Sequence, residues 1–397
     1  MGFLLKRIME KLDGMILFLL LIFMTISIFC IFSATHNDPN PVFAQSYTRM
    51  ILFYGLGFIL LIAMLFINYK FIMKLSPFFY LFGLVLLALL FFKGSTINNA
   101  QGWFNLGGFQ FQPAELCKLL LILFLASFLS WRASPNLRLL QDLLPMGLFT
   151  FVPFLLVLMQ PDLGNSIGYL VILVIICWFG NIRYRHALIG LMIVCVVSVA
   201  SLISYMNYHD EVVQFMESKH KAYWLDRIDA VLLPEQASEK ATYHTDRALE
   251  AIGSGSLFGE GYLRGDSVQT ERVPYAYSDS IFVVIGEEFG FIGCAMLLLL
   301  YFFLIYRMIL IALHLTSRRG IYVISGISAM FLFQIFENVG MLIGIMPITG
   351  ITLPFISYGG TSLLINMISI GFVLNIKIYD DIDVESSIQL EQRAAAY

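Results

Sequence analysis

Ten separated stretches of this chain are apolar for about 20 residues or slightly fewer, roughly the length an α-helix needs to cross the hydrocarbon core of a bilayer. They fall near 15–34, 49–68, 73–92, 115–131, 144–159, 165–180, 187–206, 280–306, 321–344 and 358–376. Lipid offers no partner to an unpaired backbone amide, and a helix pairs its amides internally. The sequence therefore predicts an all-α polytopic membrane protein of about ten transmembrane helices. Composition agrees, since 59% of the 397 residues are hydrophobic and 13% charged, about half the charge of an ordinary soluble domain.

An even number of spans returns both termini to one side, and Lys and Arg in the short loops decide which side is cytoplasmic. With the N-terminus inside, that side holds Lys6, Arg7, Lys11, Lys70, Lys74, Arg132, Arg138, Arg183, Arg185, Arg307, Arg318, Arg319, Lys377 and Arg393, fourteen of the 24 basic residues. The expectation is one integral-membrane domain over 1–380 with both termini cytoplasmic, and a disordered tail over 381–397. The first apolar run lacks a small-residue cleavage site and reads as an anchor. The short stretches 144–159 and 165–180 flank Gln160-Pro161-Asp162-Leu163-Gly164 and read as a helical hairpin with its ends inside protein. The stretch 280–306 is long enough to begin above the bilayer, with tilt absorbing the excess. All five cysteines fall within predicted spans without a Cys-x-x-Cys pair, which argues against disulfides and cysteine metal sites.

Two outer segments stand out. Residues 207–279 form one connection, far beyond the roughly 15 residues above which structureless loops are uncommon and usually functional. It carries Arg227 and Arg272, and a glycine series, Gly253, Gly255, Gly259, Gly261 and Gly265, interleaved with Ser254 and Ser256. Such a series offers backbone amides to an anion or makes tight turns. It is no dinucleotide fingerprint, which needs a strand before it and a helix after it, and no nucleic-acid partner is expected. The other segment, about 93–114, mixes Trp103, Phe104, Phe109 and Phe111 with Asn105, Gln110 and Gln112. That mixture suits the lipid–water boundary, as an anchor or as a substrate contact.

Ionisable groups in or beside spans are costly and therefore conspicuous. Glu115 and Lys118, three residues apart, share one helix face and can pair, as a structural ion pair or as a grip on a polar substrate. Asp162, between Pro161 and Gly164, can cap the following helix or face a ligand. Asp279 stands where the long loop enters the eighth span. An aspartate there commonly caps a helix, yet partial desolvation also raises a carboxylate pKa into the range useful to a general base. Glu287 and Glu288 lie about 12–14 Å further in at 1.5 Å per residue; with Glu337 they read as too deep for surface chemistry and as partners of other helices. The run from Gly344 to Ser362, with Pro347, Gly350, Pro354, Ser357 and Tyr358, implies irregular backbone, which survives at membrane depth only inside protein or against a polar cavity.

Six landmarks in order resemble one family. They are Trp103 with Phe111 to Lys118; Gln160 to Gly164; Arg227-Ile228 with Leu233-Pro234-Glu235; Ala251 to Gly255; Asp279 to Phe282 with Glu287 to Gly290; and Pro354 to Gly360. Together they are similar to the SEDS proteins (shape, elongation, division and sporulation), peptidoglycan glycosyltransferases of the bacterial plasma membrane. The resemblance implies Asp279 as catalytic base. It implies substrate contacts at Trp103, Gln112, Glu115, Lys118, Gln160, Asp162, Arg227, Gly253, Ser254, Gly255, Arg272, Ser357 and Tyr358. It further implies lipid II as substrate, inverting formation of a β-1,4 bond at the outer face, and a class B penicillin-binding protein as partner. No cofactor is certain; a divalent cation, Mg or Mn, is left open as an aid to the departing diphosphate. Thr349 occupies the place where division-type members usually carry Lys, which points to the elongation type. Tyr275, Tyr277 and Ser280 replace the usual Glu, His and Phe, and His244 and Arg247 stand where glutamines are usual. Other readings left open are the division or sporulation paralogue, a flippase of the lipid-linked precursor, and a noncatalytic scaffold.

Overall fold

Every apolar stretch forms a helix, and the ends agree with the sequence to within a few residues at most boundaries. The computed structural model describes residues 6, 10–37, 44–97, 100–107, 109–132, 136–218, 229, 233 and 239–395. In order, the spans are α1 (Gly14–Thr35), α2 (Ser46–Phe66), α4 (Ser76–Lys93) after the short α3 (Tyr69–Lys74), and α5 (Pro113–Ser130). Then come α6 (Leu144–Leu158), α7 (Leu163–Phe179) and α8 (Tyr184–Asn207). The long loop contributes α9 (His209–Ser218), α10 (Glu239–Ser254) and α11 (Asp266–Gln269), and α12 (Ile281–His314), α13 (Arg318–Leu342) and α14 (Gly360–Ala395) complete the chain. Among the described residues nine helices are long and apolar enough to cross a membrane, and α7, with 17 residues, is a shorter tenth. A π-helical turn, Leu139–Leu143, lengthens α6 to a full span.

Fifteen of the eighteen residues of α5 are buried, which places it at the centre of the bundle. Helix α14 lies along α2, α13 packs against α7 and α5, and α12 packs against α13, α1 and α10. Helix α8 is the opposite case, with no buried residue, and its apolar side chains face lipid all round. The 160–164 loop is buried as expected, but α6 and α7 each show a lipid-facing stripe, including Leu148, Phe151 and Val174.

Three local features go beyond what hydropathy announces. The 93–114 segment folds into a small antiparallel sheet, β1 (Ser95–Ile97), β2 (Ala100–Leu106) and β3 (Phe109–Phe111), with Ser95 opposite Trp103 and Phe104 opposite Phe111. The tail expected to be disordered continues α14 to Ala395. The long eighth span does not simply tilt: it breaks at Gly290, whose φ of 65° is left-handed.

At the break the long loop supplies the missing backbone partners. Phe291 donates its amide to Ser256 (2.9 Å) and Ile292 to Leu257 (3.2 Å), while Glu260 and Gly261 donate to the carbonyls of Glu287 (2.9 Å) and Glu288 (3.1 Å). A Cβ on Gly255 would lie 2.0 Å from the Gly286 carbonyl oxygen, so the two backbones touch only because that position is glycine. Glu287 then accepts the amides of Ser267 (2.7 Å) and Val268 (3.0 Å), and Glu288 accepts the Ser33 hydroxyl from α1. Glu287 thus fastens the long loop to the bundle, while Glu288 pairs with a residue of another span, as expected of an acid that partners another helix.

The polar groups sort to two ends. At one, Asp13 accepts from Arg307 (2.8 and 3.0 Å) and Lys377 (2.8 Å), Asp380 accepts the amides of Thr316 (2.8 Å) and Ser317 (3.1 Å), and Lys70 pairs with Asp383. At the other lie the sheet, the 160–164 loop, the long loop and Asp279.

Candidate functional site

Asp279 ends the loop that leads into α12, and Ser280, not Asp279, occupies the N-cap, without a side-chain cap bond. Its backbone carbonyl is held by the side-chain amide of Asn338 on α13 (2.7 Å), which also donates to the carbonyl of Ile351 (2.7 Å). Gly350, at φ 75°, brings the Pro354-side loop against the carboxylate: a Cβ there would lie 3.4 Å from Asp279 Oδ2. The side chain is 8% exposed, and among the described residues Oδ1 has no hydrogen-bond partner. Burial without a cation pushes its pKa up to about 7, although its own amide and that of Ser280 pull the other way.

A second cluster surrounds Lys118. Its ammonium donates to Glu115 (2.8 Å) and to Asn165 Oδ1 (2.8 Å), and Gln334 donates to the other oxygen of Glu115 (3.0 Å). Asp162 caps α7 through the Asn165 amide (3.1 Å) and also accepts the side chains of Asn165 (2.8 Å) and Gln112 (3.1 Å). Burial holds the Asp162 carboxyl above its usual range, with the Asn165 bonds opposing. Glu337 is fully buried, and among the described residues neither oxygen meets a hydrogen-bond partner in good geometry. It sits beside the loop 160–164, since a Cβ on Gly164 would lie 2.8 Å from its Oε1 and 2.7 Å from Ile351. Glu337 is thus not too deep: it stands five residues before the end of α13, about 8 Å by helical rise, at the level of Asp162. The stretch 350–351 bridges the two clusters, Gly350 touching Asp279 and Ile351 touching Gly164.

The remaining predicted residues divide. Tyr358 joins the Asp279 region: its amide donates to Tyr277 (3.0 Å) and its ring packs on Tyr277 and Phe53. Ser357 accepts the Leu353 amide (2.8 Å) inside the same turn. Trp103 lies in β2, its carbonyl accepting from Ser95 (2.9 Å). The Gln160 amide is 1% exposed and donates to the Leu87 carbonyl (2.8 Å), so it ties the hairpin to α4. Gly253 and Ser254 close α10, and Gly255 packs on α12. Arg272 pairs with Asp266 (3.2 Å) at the surface. Arg227, like Pro234 and Glu235, lies outside the described residues.

Asn165, Gln334 and Asn338 were missed by sequence reasoning. The signal was available, because Gln334, Glu337 and Asn338 fall three and four apart and so share one face of an apolar helix. With Asp279 Oδ1, the side-chain oxygens Gln334 Oε1, Glu337 Oε1 and Oε2 and Asn338 Oδ1 are buried acceptors without a donor among the described residues. Buried acceptors are normally satisfied, so this region suits a ligand rich in hydroxyl donors. No group of three or more His, Cys, Asp or Glu is arranged to hold a metal among the described residues.

A buried carboxyl with an unpartnered oxygen, at one end of a bundle of membrane-length apolar helices, is an arrangement suited to an integral-membrane enzyme. The family described as "Cell cycle protein", that of FtsW, RodA and SpoVE, matches residues 13–381. Peptidoglycan glycosyltransferase MrdB of Escherichia coli is 31% identical over 368 residues, covering 92% of this chain and 93% of that protein. Stage V sporulation protein E of Bacillus subtilis is 30% identical, covering 92% and 97%. Among solved structures, a chain of a peptidoglycan synthase complex that coordinates polymerization and crosslinking matches with TM-score 0.75 at 29% identity, over 93% of this chain and 98% of that one. The rod shape determining protein RodA of Thermus thermophilus matches with TM-score 0.66 at 28% identity, over 93% and 97%. The chain belongs to this SEDS family and is a multi-pass membrane peptidoglycan glycosyltransferase.

Proposed function

We propose that the chain polymerises lipid II into β-1,4 glycan strands at the outer face of the plasma membrane, with Asp279 as general base. The observation that carries this reading is the buried, unpartnered Oδ1 of Asp279, with its pKa near 7. The oxygen takes the proton of the acceptor sugar's 4-hydroxyl. That hydroxyl oxygen then bonds to the anomeric carbon of the donor, the bond from that carbon to the diphosphate oxygen breaks, and the carbon inverts. Outside the cell a donor must bring its own leaving group, and a lipid diphosphate does so. Gln112, Asp162 and the Glu115–Lys118 pair, held rigid by Asn165 and Gln334, would orient the sugars, and Tyr358 would flank the Asp279 side. Arg272 and Arg227 would offset charge on the departing diphosphate.

Elongation is the favoured role, supported by Thr349 in the Pro347-Ile348-Thr349-Gly350 turn. A class B penicillin-binding protein is the proposed partner, in keeping with the synthase complex to which the chain is similar. Both termini would be cytoplasmic, as the Lys and Arg distribution requires.

The test is to reconstitute the purified chain with lipid II, with and without the transpeptidase, and to resolve the products by size. Glycan strands are expected; transfer of intact lipid II between leaflets without strands would replace this reading with a flippase. Orientation is checked separately in a background lacking Cys195. A Lys240→Cys variant should react with an impermeant thiol reagent from outside and an Arg318→Cys variant should not.

A further inference from the structure

A polar cavity lies at the opposite end of the bundle from Asp279. Its volume is about 280 Å³, the share of roughly nine waters, and its walls come from the ends of α5 and α7, the turn before α6 and the start of α13. The polar lining includes Arg132, Asp142, Asn181, Arg318 and Tyr322, and the apolar lining includes Leu129, Leu137, Phe179 and Ile321.

Most of these polar groups are committed. Arg132 contacts Asp142 Oδ1 (3.3 Å), donates to the Gln141 carbonyl (3.0 Å) and lies over the Phe128 ring. Asn181 donates to Asn136 (2.7 Å), and Asp142 Oδ2 accepts the Arg138 amide (2.8 Å). Three are not. Arg318 makes no ion pair among the described residues; the Asp380 carboxylate already accepts the amides just before α13, so the free group here is the guanidinium itself. Tyr322, one turn on, has a hydroxyl without a hydrogen-bond partner among the described residues. Asp142 is 2% exposed, and its Oδ1 has no hydrogen-bond partner despite the nearby guanidinium.

The cavity thus offers a guanidinium and a hydroxyl for a phosphate, and close by a buried carboxylate oxygen for a donor cation. Depth identifies the source. Trp131, Trp178 and Tyr184 are exposed around the same end, at 58%, 56% and 77%, and exposed Trp and Tyr mark the headgroup level of a membrane. We propose that this cavity binds an aminophosphate lipid headgroup, phosphoethanolamine, with the phosphate on Arg318 and Tyr322 and the ammonium on Asp142. This assignment is independent of the chemistry at Asp279.

The test measures lipid retained by the full chain in detergent, by native mass spectrometry, after exposure to matched phosphatidylethanolamine and phosphatidylglycerol. The wild type should hold phosphatidylethanolamine several-fold better. Arg318→Gln, a surface change, should lower retention of both lipids by about tenfold, the loss expected for a charge-assisted hydrogen-bonding group. Asp142→Asn should keep phosphate binding and erase the preference. Should that variant fail to fold, Tyr322→Phe gives an independent reading, with weaker retention of both lipids. Equal retention of the two lipids by the wild type, or retention indifferent to Arg318→Gln, would overturn the proposal. Full displacement of the lipid by millimolar soluble phosphoethanolamine would overturn the lipid source.

Discussion

Asp13 and Asp279 are the same side chain at opposite ends of one bundle, 2% and 8% exposed, and their surroundings displace their pKa values in opposite directions. Burial raises both. Around Asp13 the hydrogen bonds of Arg307 and Lys377 outweigh burial, and the carboxyl ends below its ordinary range. Around Asp279 no cation approaches among the described residues, one oxygen has no hydrogen-bond partner among them, and the pKa rises to about 7. A buried acid that is fully paired fastens helices; one left unpaired, beside irregular backbone at the mouth of a site, is available for proton transfer. Perturbed groups cluster at functional sites for this reason.

The sharpest way to break the comparison is Asp279→Asn. The Asn338 amide holds the backbone carbonyl of residue 279, so the loop keeps its anchor while the side chain loses its ability to take a proton. Polymerisation per folded molecule should fall by about 10²–10⁴-fold, the contribution of a general base. Asp13→Asn, assayed in parallel, should leave the rate per folded molecule near wild type. Equal rates for wild type and Asp279→Asn would move the base elsewhere, to Asp162 or Glu115.

The next effect runs the other way, on stability. Asp13→Ala leaves Arg307 and Lys377 without their shared carboxylate and removes the cap bond to the Ile16 amide (3.3 Å). A fully buried pair broken this way costs about 3–5 kcal/mol. Arg307 and Lys377 are partly exposed, so about 2 kcal/mol is the expected loss here, read as a lower thermal midpoint in detergent. Because the folded pKa of Asp13 lies below its ordinary 3.8, its stabilisation is present above that value and lost as pH falls through the folded pKa. The gap between wild type and Asp13→Ala should therefore stay constant from about pH 6 to 9. A gap that shrinks within that range would mean that Asp13 is not held as an anion.

The two aspartates were not equally legible. Helix positions were, because about 20 apolar residues in lipid have one stable conformation, and so was the Glu115–Lys118 pair, which needs only helical spacing. Asp279 was legible as a candidate because it stands where a loop meets a span. The pairing of Asp13 was not, since Arg307 and Lys377 come from the far end of the chain and nothing local announces them. The break at Gly290 was hidden for the same reason: its backbone partners, Ser256 and Leu257, are supplied by the loop some 35 residues earlier. The isolation of α8 is likewise invisible in hydropathy, which measures fitness for an apolar medium without distinguishing lipid from protein. Asn338 and Gln334 were passed over because uncharged polar residues in a span draw less notice than acids, although here they position them.

The smallest expected effect separates the two aspartates by the sign of a pH dependence. With a pKa near 7 when folded and 3.8 when unfolded, Asp279 carries its proton in the native state through a range where the unfolded chain has lost it. The native state then binds more protons than the unfolded state, so this group's contribution to stability falls as pH rises from about 4 to 7 and stays low above that. Asp279→Asn removes a carboxylate that is costly to ionise in place. Above about pH 7 the variant should therefore unfold at a higher temperature than wild type, by the equivalent of roughly 1 kcal/mol or more, one pKa unit being about 1.4 kcal/mol, and the difference should vanish by about pH 4. Thermal unfolding followed across that range checks it. A variant less stable than wild type at pH 8 would show that the Asp279 carboxylate is a structural anion of the same kind as Asp13, and the charge state that suits it to be a base would be gone with it.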